Sequence, residues 1–279
     1  MLGTVRRMAA RAKAELDYRR FLATGQKPWT PGYGIHKRKS IEAALAQPDY
    51  DPDSLPPGHG YRLDERIVEY PWFLARLPDG PGTLLDAGST LNQPYILCHP
   101  KLRAKKLFIS TLAPEGYHEI EQGISYVFED LRRSCFRDGY FDAIACISTL
   151  EHVGLDNTFV YSKAASRNET EHGTAADCLR ELKRMLKPGG TVYLTVPFGR
   201  AANHGWFQVF DAAGVDALVN AFDPVACRER IYRYLPEGWV AAGREEARDA
   251  LYFDIQKRKD YDPDHAAASR AVACLELTA

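Results

Sequence analysis

Short apolar runs alternate with helix-like stretches from residue 63 onward. Seven runs have the length and composition of strands, at 82–86, 106–111, 124–128, 141–147, 191–196, 230–234 and 271–277. Segments between them predict helices at 64–77, 94–98, 175–186 and 212–221. Strands separated by helices are typical of a mostly parallel sheet with helices on both faces. The pattern predicts a doubly wound α/β domain over residues 61–279.

Three details concern single elements of this domain. Asp64 is placed to cap the helix that follows it, with Ile67, Val68, Trp72, Phe73 and Leu77 on its apolar stripe. Pro71 lies inside that helix and predicts a kink or a break. The last two strand candidates lie close together and carry polar residues, which predicts a hairpin at the sheet edge.

Residues 1–60 have a different texture. The first 40 residues carry ten Lys or Arg against Glu15 and Asp17, and a basic helix is predicted at 5–22. Such a helix either contacts an anionic membrane surface or phosphorylated carrier, or is a solvated helix packed on the main domain, and its thin apolar face favours the second. Residues 24–60 are rich in Pro and Gly, with one short helix predicted at 40–46, capped by Ser40. We expect this connector to fold over an active site.

Composition narrows the function classes. The formal net charge is -1, so we expect no nucleic-acid partner. No apolar run is long enough to span a bilayer, and no signal-peptide block is visible at the N-terminus. The six cysteines form no CxxC pair, so we expect no metal site, and small core residues such as Cys146 and Cys274 suit a reducing cytosol. We therefore expect a cytoplasmic protein, with any membrane contact confined to residues 1–40.

The turn after the first strand is the first candidate ligand site. It reads Asp86-Ala87-Gly88-Ser89-Thr90-Leu91-Asn92. In a doubly wound sheet, ligands bind beyond the carboxyl ends of the strands. Gly88 leaves room for a ligand to approach the backbone, and Asp86 can orient the loop by accepting N–H groups.

Four segments, in order along the chain, resemble the motifs of class I S-adenosylmethionine-dependent methyltransferases. They are 84–89, 128–138, 141–153 and 182–191, the last with a Lys-Pro-Gly-Gly turn. The resemblance covers roughly residues 62–200. It implies a Rossmann-like methyltransferase fold and S-adenosylmethionine as cofactor. It also implies that Asp130 accepts the exocyclic amine of adenine, that Leu131 packs nearby or offers its N–H, and that Ser148, at the end of the fourth strand, faces the cofactor.

The chain departs from the family's pattern at two places. Thr90 and Asn92 stand where further glycines are common, so they either contact the methionine carboxylate or narrow the pocket. The second strand lacks the usual acid that binds the ribose hydroxyls. Thr111 and Glu115 are the candidates to replace it.

Methyl transfer needs an aligned nucleophile, and a hydroxyl nucleophile benefits from a general base. The candidate catalytic residues are Glu151 and His152 after the fourth strand and His204 after the fifth. A loop histidine is more often simply solvated, and Trp206 and Phe207 fit either an acceptor pocket or the core. The chain is similar to methyltransferase-like proteins associated with bacterial surface-polysaccharide synthesis, which implies O-methylation of a saccharide or glycolipid.

Two other function classes remain open. A non-catalytic methyltransferase-like scaffold would explain the missing ribose acid and the lost glycines. A nicotinamide-dependent oxidoreductase is poorly supported, because residues 86–89 do not form a dinucleotide fingerprint.

Overall fold

The computed structural model describes residues 2–48, 50–158, 174–258 and 260–279. Its helices are α1 (Leu2–Ala23), α2 (Tyr33–Leu45), α3 (Arg66–Arg76), α4 (Pro94–Leu97), α5 (Pro100–Arg103), α6 (Ala175–Met185), α7 (Ala212–Phe222) and α8 (Arg244–Ala247). Its strands are β1 (Gly82–Ala87), β2 (Lys105–Thr111), β3 (Ser125–Phe128), β4 (Phe141–Ile147), β5 (Leu186–Pro197), β6 (Ala202–Asn203), β7 (Gln208–Val209), β8 (Ala226–Leu235), β9 (Gly238–Ala242) and β10 (Ala271–Thr278). Single 3₁₀ turns occur at Ile120–Gln122 and Leu150–His152.

The central sheet has eight strands in the order β3-β2-β1-β4-β5-β10-β8-β9. Strands β1 to β5 pair in parallel, and β10 is antiparallel to both of its neighbours. The predicted doubly wound, mostly parallel sheet is confirmed. The strand order reverses between β2 and β4, on either side of β1, and this opens a crevice at the carboxyl ends of these strands.

Two expectations about the sheet were wrong. It has an eighth strand, β9. The apolar run of β9 is too short to predict a strand on its own, and the segment forms a strand by pairing with β8. The edge hairpin consists of β8 and β9, whereas β10 lies inside the sheet between β5 and β8. The buried pattern of β10 fits this interior place, because both of its faces pack against other elements.

The sheet buries a core on each face. Helix α3 covers one face with the predicted stripe, in which Ile67, Val68, Trp72, Phe73 and Leu77 are each at most 1% exposed. Helix α6 covers the other face with Cys178, Leu179, Leu182 and Met185. Both predicted core cysteines, Cys146 and Cys274, are buried. The carboxyl ends of the strands are thereby held rigidly beneath the candidate site.

Local expectations for the helices need correction. Helix α2 begins at Tyr33, after the left-handed Gly32, so Ser40 lies within it and caps nothing. Helix α3 runs unbroken through Pro71, since its buried residues on both sides fix the path. The N-cap residue of α3 is Glu65, so the expectation that Asp64 caps this helix was wrong by one residue. Asp64 still accepts the N–H of Arg66, and it also binds Lys37.

Helix α1 attaches to the body at its C-terminal end. Phe21 is buried against Tyr33 and His36, whereas Met8 and Leu16 are each about two-thirds exposed. Only the C-terminal turns of this helix are therefore packed on the main domain. Within the described ranges, no helix combines the length and the apolarity that crossing a membrane requires.

Candidate functional site

The turn after β1 lies directly against the turn after β4. Gly88 has a φ of 112°, and a Cβ at this position would overlap the side chain of Thr149. The Thr90 hydroxyl donates to the carbonyl of Ile147 at 2.7 Å. The close approach that requires glycine therefore comes from the protein's own Thr149. Thr90 ties the two turns together and, together with Thr149, narrows the crevice.

A cleft opens beside this contact. It is lined by Gly88, Thr111, Leu112, Asp130, Leu131, Thr149, His152, Val153 and Asn157, with a cavity of about 30 Å³. Five of these residues were predicted from the sequence: Gly88, Thr111, Asp130, Leu131 and His152. Thr149 and Asn157 were missed, because their place depends on how the turn after β4 folds back on β1.

Asp130 forms one wall of the cleft and is held by Arg132. The guanidinium donates to both carboxylate oxygens, at 2.9 Å from Nε and 2.7 Å from Nη2. Although burial favours the neutral form, hydrogen bonds from Arg132 outweigh it and lower the pKa of Asp130. The carboxylate is therefore ionised at neutral pH and fixed in direction.

Glu115 stands near the end of β2, where the sequence lacks the usual acid. Its Oε2 accepts from the Ser89 hydroxyl at 2.9 Å and from the Asn92 amide at 3.1 Å. The Thr111 hydroxyl lies 3.5 Å from its Oε1. These contacts hold the carboxylate between the cleft and a second cavity of about 410 Å³, which Tyr117 and Tyr126 also line.

Asp86 lies beneath the β1 turn and is fully buried. Its Oδ2 accepts the N–H of Leu91 at 2.8 Å, whereas Oδ1 has no hydrogen-bond partner among the described residues. Burial, and then the charge of Glu115, raise the pKa of Asp86 to about 8. Asp86 thus shapes the loop in its protonated form.

His152 lines the cleft with a defined orientation. Its Nδ1 lies 2.9 Å from the carbonyl of Trp206, and because a carbonyl only accepts, Nδ1 carries the proton of the neutral ring. The lone pair is then on Nε2. Burial lowers the pKa of His152, which keeps the ring neutral near pH 7. The Nε2 atom of His152 can therefore accept a proton.

The other two catalytic candidates do not line the cleft. Glu151 is 3% exposed, its Oε2 has no hydrogen-bond partner in the described ranges, and burial raises its pKa. His204 stacks on Phe207 with ring centroids 4.4 Å apart, and its Nδ1 lies 3.5 Å from Asp254. Burial lowers the pKa of His204, and Asp254 only partly opposes this. Ser148 turns its hydroxyl to Glu69, away from the cleft.

The cleft residues fit an adenosyl group in their chemistry. Asp130 offers oxygens to an amine, and Leu112 and Leu131 supply apolar walls. Glu115, which lines the adjoining second cavity, offers carboxylate oxygens to a ribose diol. A cavity of about 30 Å³ is far below the ~300 Å³ of ordinary ligand pockets, whereas the adjoining cavity that Glu115 lines has a volume of about 410 Å³.

No group of three or more metal-ligating side chains is present in the part of the chain that the structure describes. Asp130 is held by Arg132, Glu115 by Ser89 and Asn92, and His152 by the carbonyl of Trp206. The site is therefore organised by hydrogen bonds.

Comparisons with known proteins bear on this arrangement. Residues 109–194, from within β2 to within β5, match the family model described as "Methyltransferase domain". No curated protein matches the chain. The match includes the end of β2, the Asp130 segment and the turn that carries His152.

Similar solved structures have low sequence identity. A Burkholderia thailandensis 1,6-didemethyltoxoflavin-N1-methyltransferase with bound S-adenosylhomocysteine is 13% identical, with 97% of this chain and 89% of that chain covered and a TM-score of 0.44. The N-methyltransferase NodS from Bradyrhizobium japonicum WM9 is 14% identical, with 87% and 98% covered and a TM-score of 0.42. The [4+2]-cyclase SpnF is 14% identical, with 70% and 73% covered and a TM-score of 0.42. At these TM-scores the likenesses carry no argument about function.

The family match lies in the doubly wound sheet, at the crevice where Gly88, Asp130 and His152 meet. Residues 109–194 of the chain therefore match a methyltransferase domain in sequence.

Proposed function

We propose that the protein is an S-adenosylmethionine-dependent methyltransferase that transfers a methyl group to a hydroxyl of a saccharide or glycolipid, with His152 as general base. The orientation of His152 carries the proposal. Its Nδ1–H is committed to the Trp206 carbonyl, and its ring is neutral, so Nε2 is ready to take a proton in the cleft. A hydroxyl is a poor nucleophile until its proton is removed, and this makes a base useful.

The surroundings of His152 support a sugar as acceptor. Its ring stacks on Trp206 with centroids 5.1 Å apart, and Phe207 and Tyr252 continue the cluster at 4.3 Å from each other. Aromatic faces pack well against the C–H faces of sugar rings. The resemblance to methyltransferase-like proteins of surface-polysaccharide synthesis agrees with this acceptor class.

The chain's own residues have separate tasks in this scheme. The bound cofactor supplies an electrophilic methyl group on sulfur. Glu115 would hold the ribose, and Asp130, fixed by Arg132, would accept the adenine amine. His152 would take the acceptor's hydroxyl proton at Nε2 while the apolar walls exclude water.

An acceptor screen tests the proposal. The protein is incubated with S-adenosylmethionine and a panel of monosaccharides, nucleotide sugars, glycolipids and small amines, and methylated products are detected by mass spectrometry. We expect a sugar product whose rate falls about 10²- to 10⁴-fold in His152→Gln, and a wild-type rate that drops as pH falls and the ring is protonated. A product found only with amines, or a rate unchanged in His152→Gln, would contradict the proposal.

We also propose that the protein is cytoplasmic and meets an anionic membrane surface through residues 1–40. The exposed basic side chains of α1 support this, among them Arg6 and Arg11. A glycolipid acceptor would lie at such a surface.

A further inference from the structure

The carboxyl end of β4 turns at a residue with left-handed backbone. Ser148 has a φ of 40°, a conformation that residues with a Cβ rarely adopt. The next four residues bring Thr149 against Gly88 and His152 into the cleft. Whatever holds Ser148 therefore also sets the position of both side chains.

Three elements converge on this turn through one carboxylate. Glu69 of α3 is fully buried, and its Oε1 accepts from the Ser148 hydroxyl and from the Thr195 hydroxyl of β5, each at 2.6 Å. The Ser148 N–H donates back to Thr195 Oγ1 at 3.0 Å. Glu69 Oε2 is paired with Arg66. The turn is thus fastened to both α3 and β5.

Stability alone does not explain this network. A buried carboxylate is costly to desolvate, and an apolar residue would continue the stripe of α3 equally well. Glu69 lies beside Val68 and one turn before Trp72 and Phe73, all buried and apolar. A charged residue in this stripe makes sense where hydrogen-bond direction matters, and the direction here fixes a strained turn.

We propose that Glu69, Thr195 and Ser148 form a positioning unit that holds the turn at residues 149–152 so that His152 presents Nε2 to the acceptor. The inference rests on the proposed function, which gives His152 its role. Glu69 acts through the backbone of the turn, so it is a positioning residue.

The groups around His152 define a clean test. After burial, the charge of Arg66 on α3 also lowers the pKa of His152. The His152 Nδ1–H donates to the carbonyl of Trp206, the Asn157 amide donates to the backbone carbonyl of His152, and Glu151 precedes His152 in the chain. Thr195→Val removes the shared hydroxyl without altering any charge. Thr195→Ser keeps the hydroxyl and is the matched control.

The measurement is the pKa and tautomer of His152 by NMR of isotope-labelled histidine. In Thr195→Val the turn loosens and the ring gains water, so we expect the pKa of His152 to rise toward 6.5 and the Nδ1–H preference to weaken. Thr195→Ser should keep the wild-type value. A merely structural role would lower the midpoint of thermal unfolding of Thr195→Val and leave His152 unmoved, which would overturn the proposal.

Ser148→Gly is the second variant if Thr195→Val does not fold. Glycine adopts the left-handed backbone without strain, so this variant should fold while it loses the link to Glu69. The same shift at His152 is expected, and a wild-type His152 in the folded variant overturns the inference. Calorimetry with S-adenosylhomocysteine distinguishes a failure of the proposed function from a failure of the positioning unit. Absence of binding by the wild-type protein counts against the proposed function, and binding with an unmoved His152 counts against the positioning unit.

Discussion

At the scale of single residues, the site depends on one close contact between two turns. Gly88 is the glycine that a cofactor loop is expected to carry. The side chain of Thr149 occupies the space that a side chain at residue 88 would need. The left-handed backbone of Gly88 adds a second requirement for glycine. The effects of steric overlap and of backbone conformation can be measured separately, because another glycine of the chain, Gly205, has a left-handed backbone without the overlap.

Gly88→Ala is expected to destabilise the fold by about 1–3 kcal/mol, through overpacking against Thr149 and backbone strain. Gly205 also has a positive φ, of 95°, but no heavy atom within 4 Å of an added Cβ, so Gly205→Ala should cost the strain alone. Urea unfolding measures both. Adding Thr149→Gly to Gly88→Ala removes all three overlapping atoms of Thr149, including its Cβ, and should recover the difference. Equal losses in the two glycine variants would refute the steric account.

At the scale of elements, sequence periodicity predicted seven strands and the helices that cover them, because each has a buried face with its own pattern. It missed β9, which is short and is ordered by β8, and it placed the start of α2 at Ser40 because it gave no weight to the left-handed Gly32. The candidate cofactor residues near Gly88 and Asp130 were found through ordered motifs. The clamp of Arg132 on Asp130 and the packing of Thr149 arise only after folding, and no local pattern encodes them.

Helix α1 packs on the body of the domain through Phe21, near its C-terminal end, and leaves Met8 and Leu16 exposed. Its exposed basic residues should bind vesicles that contain phosphatidylglycerol and leave phosphatidylcholine vesicles unbound. Replacing Arg6, Arg11 and Lys13 by Gln should lower the bound fraction in co-sedimentation, at a cost of about 1 kcal/mol per lost charge. The matched control replaces three exposed arginines outside α1, Arg103, Arg228 and Arg248, by Gln. Binding that does not depend on α1, or equal binding to both vesicle types, would contradict the proposed contact.

At the scale of the whole molecule, buried acids link stability to pH. Asp86 has a pKa of about 8 in the folded protein against an ordinary value of 3.8. Between these values the folded state binds more protons than the unfolded state, so this group makes stability fall as pH rises. Burial, and then the charge of Asp64, raise the pKa of Glu65 to about 7. Glu65 therefore also makes stability fall as pH rises, over a narrower pH range than Asp86.

Asp86→Asn should flatten the decline in the free energy of unfolding between pH 6.5 and 7.5, where one such group contributes at most about 1.4 kcal/mol per pH unit. Asp142→Asn is the control. Burial alone would raise the pKa of Asp142, but hydrogen bonds from Lys187 and Thr83 lower it to about 2. Asp142 is therefore ionised in both the folded and the unfolded protein throughout this pH range. A slope that Asp86→Asn leaves as steep as in the wild type would show that Asp86 is ionised in the fold.

Binding of the cofactor product is the most direct test of the account as a whole. Isothermal titration calorimetry of the full chain with S-adenosylhomocysteine should give a saturable one-site heat. Glu115→Ala should weaken the affinity at least about tenfold, since each charge-assisted hydrogen bond contributes roughly 1.5–3 kcal/mol. Glu121→Ala, an exposed acid on the same segment that does not line either cavity, should bind as the wild type does. No heat from folded protein at millimolar ligand would contradict the account.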